Sequence, residues 1–128
     1  MKRSLLIICA FLILVLFASC SRVSVSSDVL AELTYKYGDV SVSEALTKEE
    51  SEQLSNIVNG KTLYAGDPSC SFDVNISFQL GDRVFCPACD SCGKVKDCKT
   101  GKYFNISDAE RETIEGIFEK YGGHFPCV

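Results

Sequence analysis

Phe72-Asp73-Val74-Asn75-Ile76-Ser77-Phe78-Gln79-Leu80-Gly81-Asp82-Arg83-Val84-Phe85 is the stretch that decides the fold. Phe72, Val74, Ile76, Phe78 and Leu80 recur at strict period two, the pattern of a strand with one face in a core. Gly81-Asp82 then suits a two-residue hairpin of type II′, because glycine stands first. In that register Phe78 faces Phe85, a favourable cross-strand pair. Extended further, the same register brings Cys70 close to Cys92.

The flanking segments follow the same logic. Val29, Ala31, Leu33, Tyr35 and Tyr37 alternate with polar residues, and Val40 and Val42 continue the pattern after Gly38-Asp39. Thr47-Lys48-Glu49-Glu50 is a capping box. It opens a helix that buries Leu54, Ile57 and Val58 and stops at Asn59-Gly60. Lys61 to Tyr64 reads as a short strand. A second hairpin runs from Lys94 to Cys98, turns through Thr100-Gly101 and returns along Tyr103 to Ile106. Ser107-Asp108-Ala109-Glu110 opens a last helix with Ile114, Ile117, Phe118 and Tyr121 on one face, ending at Gly122-Gly123. The expected class is α+β: an antiparallel sheet of about four or five strands, two helices packed on one side, stabilised by disulfides.

Residues 1–19 have the layout of an export signal. Lys2 and Arg3 precede an apolar run from Leu5 to Phe17, too short for a typical membrane span. Phe17-Ala18-Ser19-Cys20 has the form of a lipobox, which would leave Cys20 as a lipid-modified N-terminus. Phe17 stands where Leu, Val or Ile is usual, and plain secretory cleavage after Ala18 or Ser21 is the competing reading. Parity favours the lipid. Of eight cysteines, Cys9 leaves with the signal. With Cys20 lipidated, Cys70, Cys86, Cys89, Cys92, Cys98 and Cys127 can all pair; otherwise one thiol is orphaned. Residues 20–27, rich in serine, read as lipidated cysteine plus tether, and 28–128 as a single cysteine-rich domain.

Charge excludes one broad class of partner. Removing Lys2 and Arg3 from the thirteen basic residues leaves eleven against 17 acidic ones, a net charge of −6. Such a chain is not expected to bind nucleic acid. The expected partners are the membrane, through the anchor, and an envelope or extracellular molecule.

Cys86-Pro87-Ala88-Cys89-Asp90-Ser91-Cys92, with Cys98 beyond, is the one constellation with chemical potential. The spacing imitates the start of an iron–sulfur run, but the last gap is too long and export precedes cluster assembly. Cys86, Cys89, Cys92 and Cys98 have the donor set for structural zinc, against which stands the oxidising compartment. Cys86-Pro87-Ala88-Cys89 has the spacing of a redox pair, yet Asp90 and an expected turn replace the helix that would stabilise its thiolate. The preferred reading is three structural disulfides, each contributing about 2–4 kcal/mol, with Cys127 tying the tail to the sheet. No metal, cofactor or catalytic residue is expected.

Weaker candidates have plainer explanations. His124 reads as a surface tail residue, and Glu110, Glu112, Glu115 and Glu119 as a solvated helix face. Lys94, Lys96, Lys99 and Lys102 form a basic patch, read as protection of a solvated edge strand, with an anionic envelope polymer as the functional alternative. Asn75-Ile76-Ser77 and Asn105-Ile106-Ser107 match the glycosylation sequon, which matters only in a eukaryotic secretory pathway.

The segments NGKTLY, PSCSFDVNISF, FCPACDSC, GKYFNIS and the terminal FPCV together resemble a group of small uncharacterised bacterial lipoproteins. The resemblance spans about Asn59 to Val128 and implies an exported, lipid-anchored domain; it implies no activity. The functional expectation is a non-catalytic binding or scaffolding module at the cell envelope. The alternatives are an exported thiol–disulfide or zinc protein, and an inhibitor of a secreted enzyme.

Overall fold

A computed structural model of the chain describes residues 22–126. The expected signal segment, Cys20 and Cys127 lie outside the described residues. Alternation yields strands β1 (Glu32–Tyr37) and β2 (Val40–Ala45), joined by a tight turn. Helix α1 (Lys48–Val58) follows, then β3 (Ile76–Leu80), β4 (Arg83–Pro87), β5 (Lys94–Asp97), β6 (Tyr103–Asn105) and helix α2 (Asp108–Lys120). The strands form one antiparallel sheet in the order β2-β1-β3-β4-β5-β6. The α+β class stands; among the described residues the sheet has six strands rather than four or five.

Register assigns each side chain to a face, because paired residues in an antiparallel ladder project the same way. Leu33 pairs with Phe78 and Phe78 with Phe85. Their face also carries Ile76, Leu80, Val95 and Phe104, all fully buried. Against it pack Leu54 and Val58 of α1 and Ile114 and Phe118 of α2, completing one apolar cluster. The Phe78 and Phe85 rings lie 5.5 Å apart, as the hairpin register requires. Gly81 supplies the positive φ of 63° at the first turn position, and Asp82 keeps a negative φ, which is the type II′ pattern.

Both capping boxes are present. The Thr47 side chain accepts from Glu50 N at 3.2 Å and Glu50 Oε2 accepts from Thr47 N at 3.0 Å. Ser107 and Glu110 repeat the exchange at 3.1 and 2.8 Å. Each glutamate also bonds a residue just beyond the C-terminal end of the other helix. Lys61 Nζ donates to Glu110 at 2.7 Å, while Tyr121 Oη donates to Glu50 at 2.8 Å. The helices are therefore antiparallel neighbours.

Three expectations need correction. The strand expected from Phe72 to Leu80 breaks, because Asp73 Oδ1 accepts from Asn75 N at 2.8 Å and turns the chain. Val74 is left 68% exposed, and Phe72 makes only an isolated bridge to Ala88. Lys61–Tyr64 is likewise no strand: Thr62 and Tyr64 make single bridges, to Arg22 and Tyr103. The third concerns the tether. Val23 is buried, its N–H donating to Lys61 O and its carbonyl accepting from Gly60 N, both at 2.9 Å. Asn59 holds Val25 through two further bonds of 2.8 and 3.0 Å. Serine content suggested flexibility, but Val23 and Val25 are what dock the segment.

Candidate functional site: the outer sheet face

The face turned away from the helices carries the chemistry. Cys86 pairs with Lys96, and Lys96 with Tyr103, so side chains from β4, β5 and β6 stand in one row. Lys94 shares that face, its ammonium 5.8 Å from the centre of the Tyr103 ring. The Asp73–Asn75 turn shifts the preceding chain onto the same side. Phe72 opposes Ala88, two residues along from Cys86, and so projects outward with it.

Two hollows of about 320 Å³ each adjoin there. Both include Phe72, Lys96 and Gly101; one adds Val74, Cys86 and Cys98, the other Asp67, Pro68 and Tyr103. Together they make a groove with aromatic walls and a cation in the middle, in the size range of small-ligand sites.

A disulfide clamps the loop that forms one wall. Cys70 and Cys92 are bonded with Cα atoms 6.0 Å apart. The pairing is the one the hairpin suggested, although the ladder resumes at Phe72–Ala88 after dropping the turn. Asp90 reinforces it, accepting from Ser71 N at 3.2 Å and Cys92 N at 3.1 Å. Cys70, Asp90 and Cys92 cluster closely enough to suggest a metal site, but the two sulfurs are consumed by their mutual bond. The same bond removes Cys92 from a zinc set of Cys86, Cys89, Cys92 and Cys98.

Cys86 and Cys89 do not meet as a redox pair of that spacing would. The chain stays extended through Ala88, so a three-residue step puts the two on opposite faces. Cys89 belongs to the helix-side core, whereas Cys86 forms part of the groove floor. The neighbour of Cys86 is Cys98, with 3.1 Å between sulfurs. Burial, and then the Cys98 thiol beside it, push the Cys86 thiol well up from its ordinary range.

The basic patch divides. β5 is an inner strand between β4 and β6, so Lys94 and Lys96 protect no edge. Lys99 sits in the turn and pairs with Asp82. The Asp82 carboxyl is lowered by the hydrogen bond and charge of that lysine. Of the acidic row on α2, Glu110 is engaged with Lys61 rather than purely solvated. His124 is exposed, as expected, but its carbonyl accepts from Tyr35 Oη at 2.6 Å. The groove escaped sequence analysis because the apparent strand assigned Phe72 and Val74 to the core. The usable signal was Asp73 with Asn75, an Asx-turn pair inside an apolar alternation.

Comparison with known proteins finds no match: no family model, no curated protein and no solved structure. Among the described residues, no helix is long and apolar enough to cross a membrane.

Proposed function

We propose that this is an exported, lipid-anchored binding module whose outer-face groove takes an anionic polymer of the cell envelope. The observation that carries the reading is Lys96 in the groove with Tyr103 and Phe72, and Lys94 beside the Tyr103 ring, both lysines on the inner strand β5 where edge protection is no explanation. The net charge opposes anions at long range. Screening at physiological salt cuts that off beyond about 8 Å, so at contact the balance is set locally by Lys96 and Lys94 against Asp67 of the groove lining. Two or more acyl chains on Cys20 would hold the protein stably on a membrane. Val23 is docked, so the anchor would sit three residues, at most about 10 Å of chain, from the folded domain. The groove would then work close to the bilayer surface.

The test has two parts. Fractionation of Cys20→Ala addresses the anchor: release from membranes is expected, and full retention would exclude lipidation there. Binding of the purified protein to long-chain polyphosphate and to a carboxylated polysaccharide addresses the groove. Lys96→Glu and Tyr103→Ala should each weaken binding about tenfold or more, which is about 1.4 kcal/mol. Lys48→Glu, at an exposed site on α1, should leave it unchanged. Equal weakening by all three, or by none, would overturn the assignment of the groove.

A further inference from the structure

We propose that Cys86 and Cys98 form an exchangeable disulfide in the groove, oxidised by a disulfide-bearing reagent, with Cys98 attacking and Cys86 resolving. The sulfurs are 3.1 Å apart, about 1 Å beyond an S–S bond, so a small side-chain adjustment brings them to bonding distance. The backbone sets up this approach. Cys98 N donates to Val84 O at 2.9 Å, which fixes Cys98 beside Val84. Cys86 lies two residues further on the same face, a diagonal neighbour in the ladder.

Access assigns the roles. Cys98 is exposed in the turn after β5, whereas Cys86 is only 1% exposed. An incoming disulfide therefore meets Cys98 first. The Cys98 thiolate attacks one sulfur of the oxidant, forming a mixed disulfide and expelling the oxidant's other sulfur as a thiolate. Cys86 then loses its proton to that thiolate and attacks Cys98 Sγ. The Cys86–Cys98 bond forms as the bond from Cys98 to the oxidant breaks, releasing the second oxidant thiol. The protein gives up two electrons and two protons; the oxidant gains both. A dithiol reductant reverses the sequence, again entering at Cys98. Burial keeps Cys86 a protonated, poor nucleophile toward solvent until the mixed disulfide places a sulfur beside it.

The experiment uses the full chain, reduced in denaturant, refolded and then treated with oxidised glutathione, followed by mass-spectrometric disulfide mapping. A Cys86–Cys98 cross-link is expected. Titrating dithiothreitol into the native oxidised protein should open it before Cys70–Cys92, with alkylation at Cys98 running about tenfold ahead of Cys86. In Cys86→Ser, Cys98 should be trapped as a glutathione adduct. In Cys98→Ser, Cys86 should resist alkylation until urea is added. Cys86 cross-linked to any other cysteine, or native alkylation of both thiols after oxidant, would overturn the pairing. A bridge that opens only after Cys70–Cys92 would overturn its exchangeability. The groove's ligand is no input to any of these, so failure here leaves the binding reading standing.

Discussion

Glu50 Oε2 accepts a 2.8 Å hydrogen bond from Tyr121 Oη, joining the start of α1 to the end of α2 across 71 residues of chain. The same carboxylate caps Thr47 N and pairs with Lys120. Burial opposes ionisation, but the bonds from Lys120, Thr47 and Tyr121 prevail and hold the carboxyl at about 2. Its folded value lies below its unfolded one. The stabilisation is therefore complete above about pH 4.5 and is lost as pH falls toward 2. Glu50→Gln should cost about 1–3 kcal/mol at pH 7. Urea titrations at pH 7 and pH 3 should show the difference between wild type and variant shrinking in acid. An undiminished difference at pH 3 would contradict this account.

Gly123 lies against Tyr35. A Cβ added there would stand 2.9 Å from Tyr35 Cδ2 and 3.2 Å from Phe118 O. Gly123→Ala should therefore destabilise by about 1–3 kcal/mol, as overpacking does. In a Tyr35→Ala background most of that cost should vanish, since the ring is the nearest obstacle. Thermal melts of the four proteins in the cycle give the coupling.

Val74 and Ile76 look equivalent in the alternation but occupy opposite environments, 68% and 0% exposed. Val74→Ala should fall within about 0.5 kcal/mol of wild type. Ile76→Ala should cost about 2–5 kcal/mol. Chemical denaturation separates the two; similar losses would mean that the strand runs unbroken through Val74.

Asp97 is fully buried on the helix-side face, paired with Arg83 and accepting from Thr100 Oγ1 at 2.8 Å and Lys99 N at 3.1 Å. It closes the β5–β6 turn and neutralises a guanidinium that is itself mostly buried. Asp97→Ala strands that charge and should cost about 3–5 kcal/mol. Amide exchange should accelerate first in the Cys98–Tyr103 turn, where the carboxylate holds the backbone; uniform acceleration would deny it that local role.

Local rules carried most of the secondary structure. Thr47–Glu50 and Ser107–Glu110 marked both helix starts, Gly81-Asp82 set the hairpin, and Phe78 met Phe85, because each depends on residues a few positions apart or on one tight turn. Composition bounded charge and cysteine number for the same reason: both are sums over the chain. What only tertiary structure decided were relations between distant segments. The period of Phe72–Leu80 could not reveal that Asp73 and Asn75 interrupt it, since an Asx turn and a strand compete within about a kilocalorie and packing chooses. Nor could Cys-x-x-Cys spacing show that an extended backbone sends Cys86 and Cys89 to opposite faces and leaves Cys98 beside Cys86. The groove exists because that turn, the Cys70–Cys92 clamp and the inner position of β5 coincide in space, which no local interaction encodes.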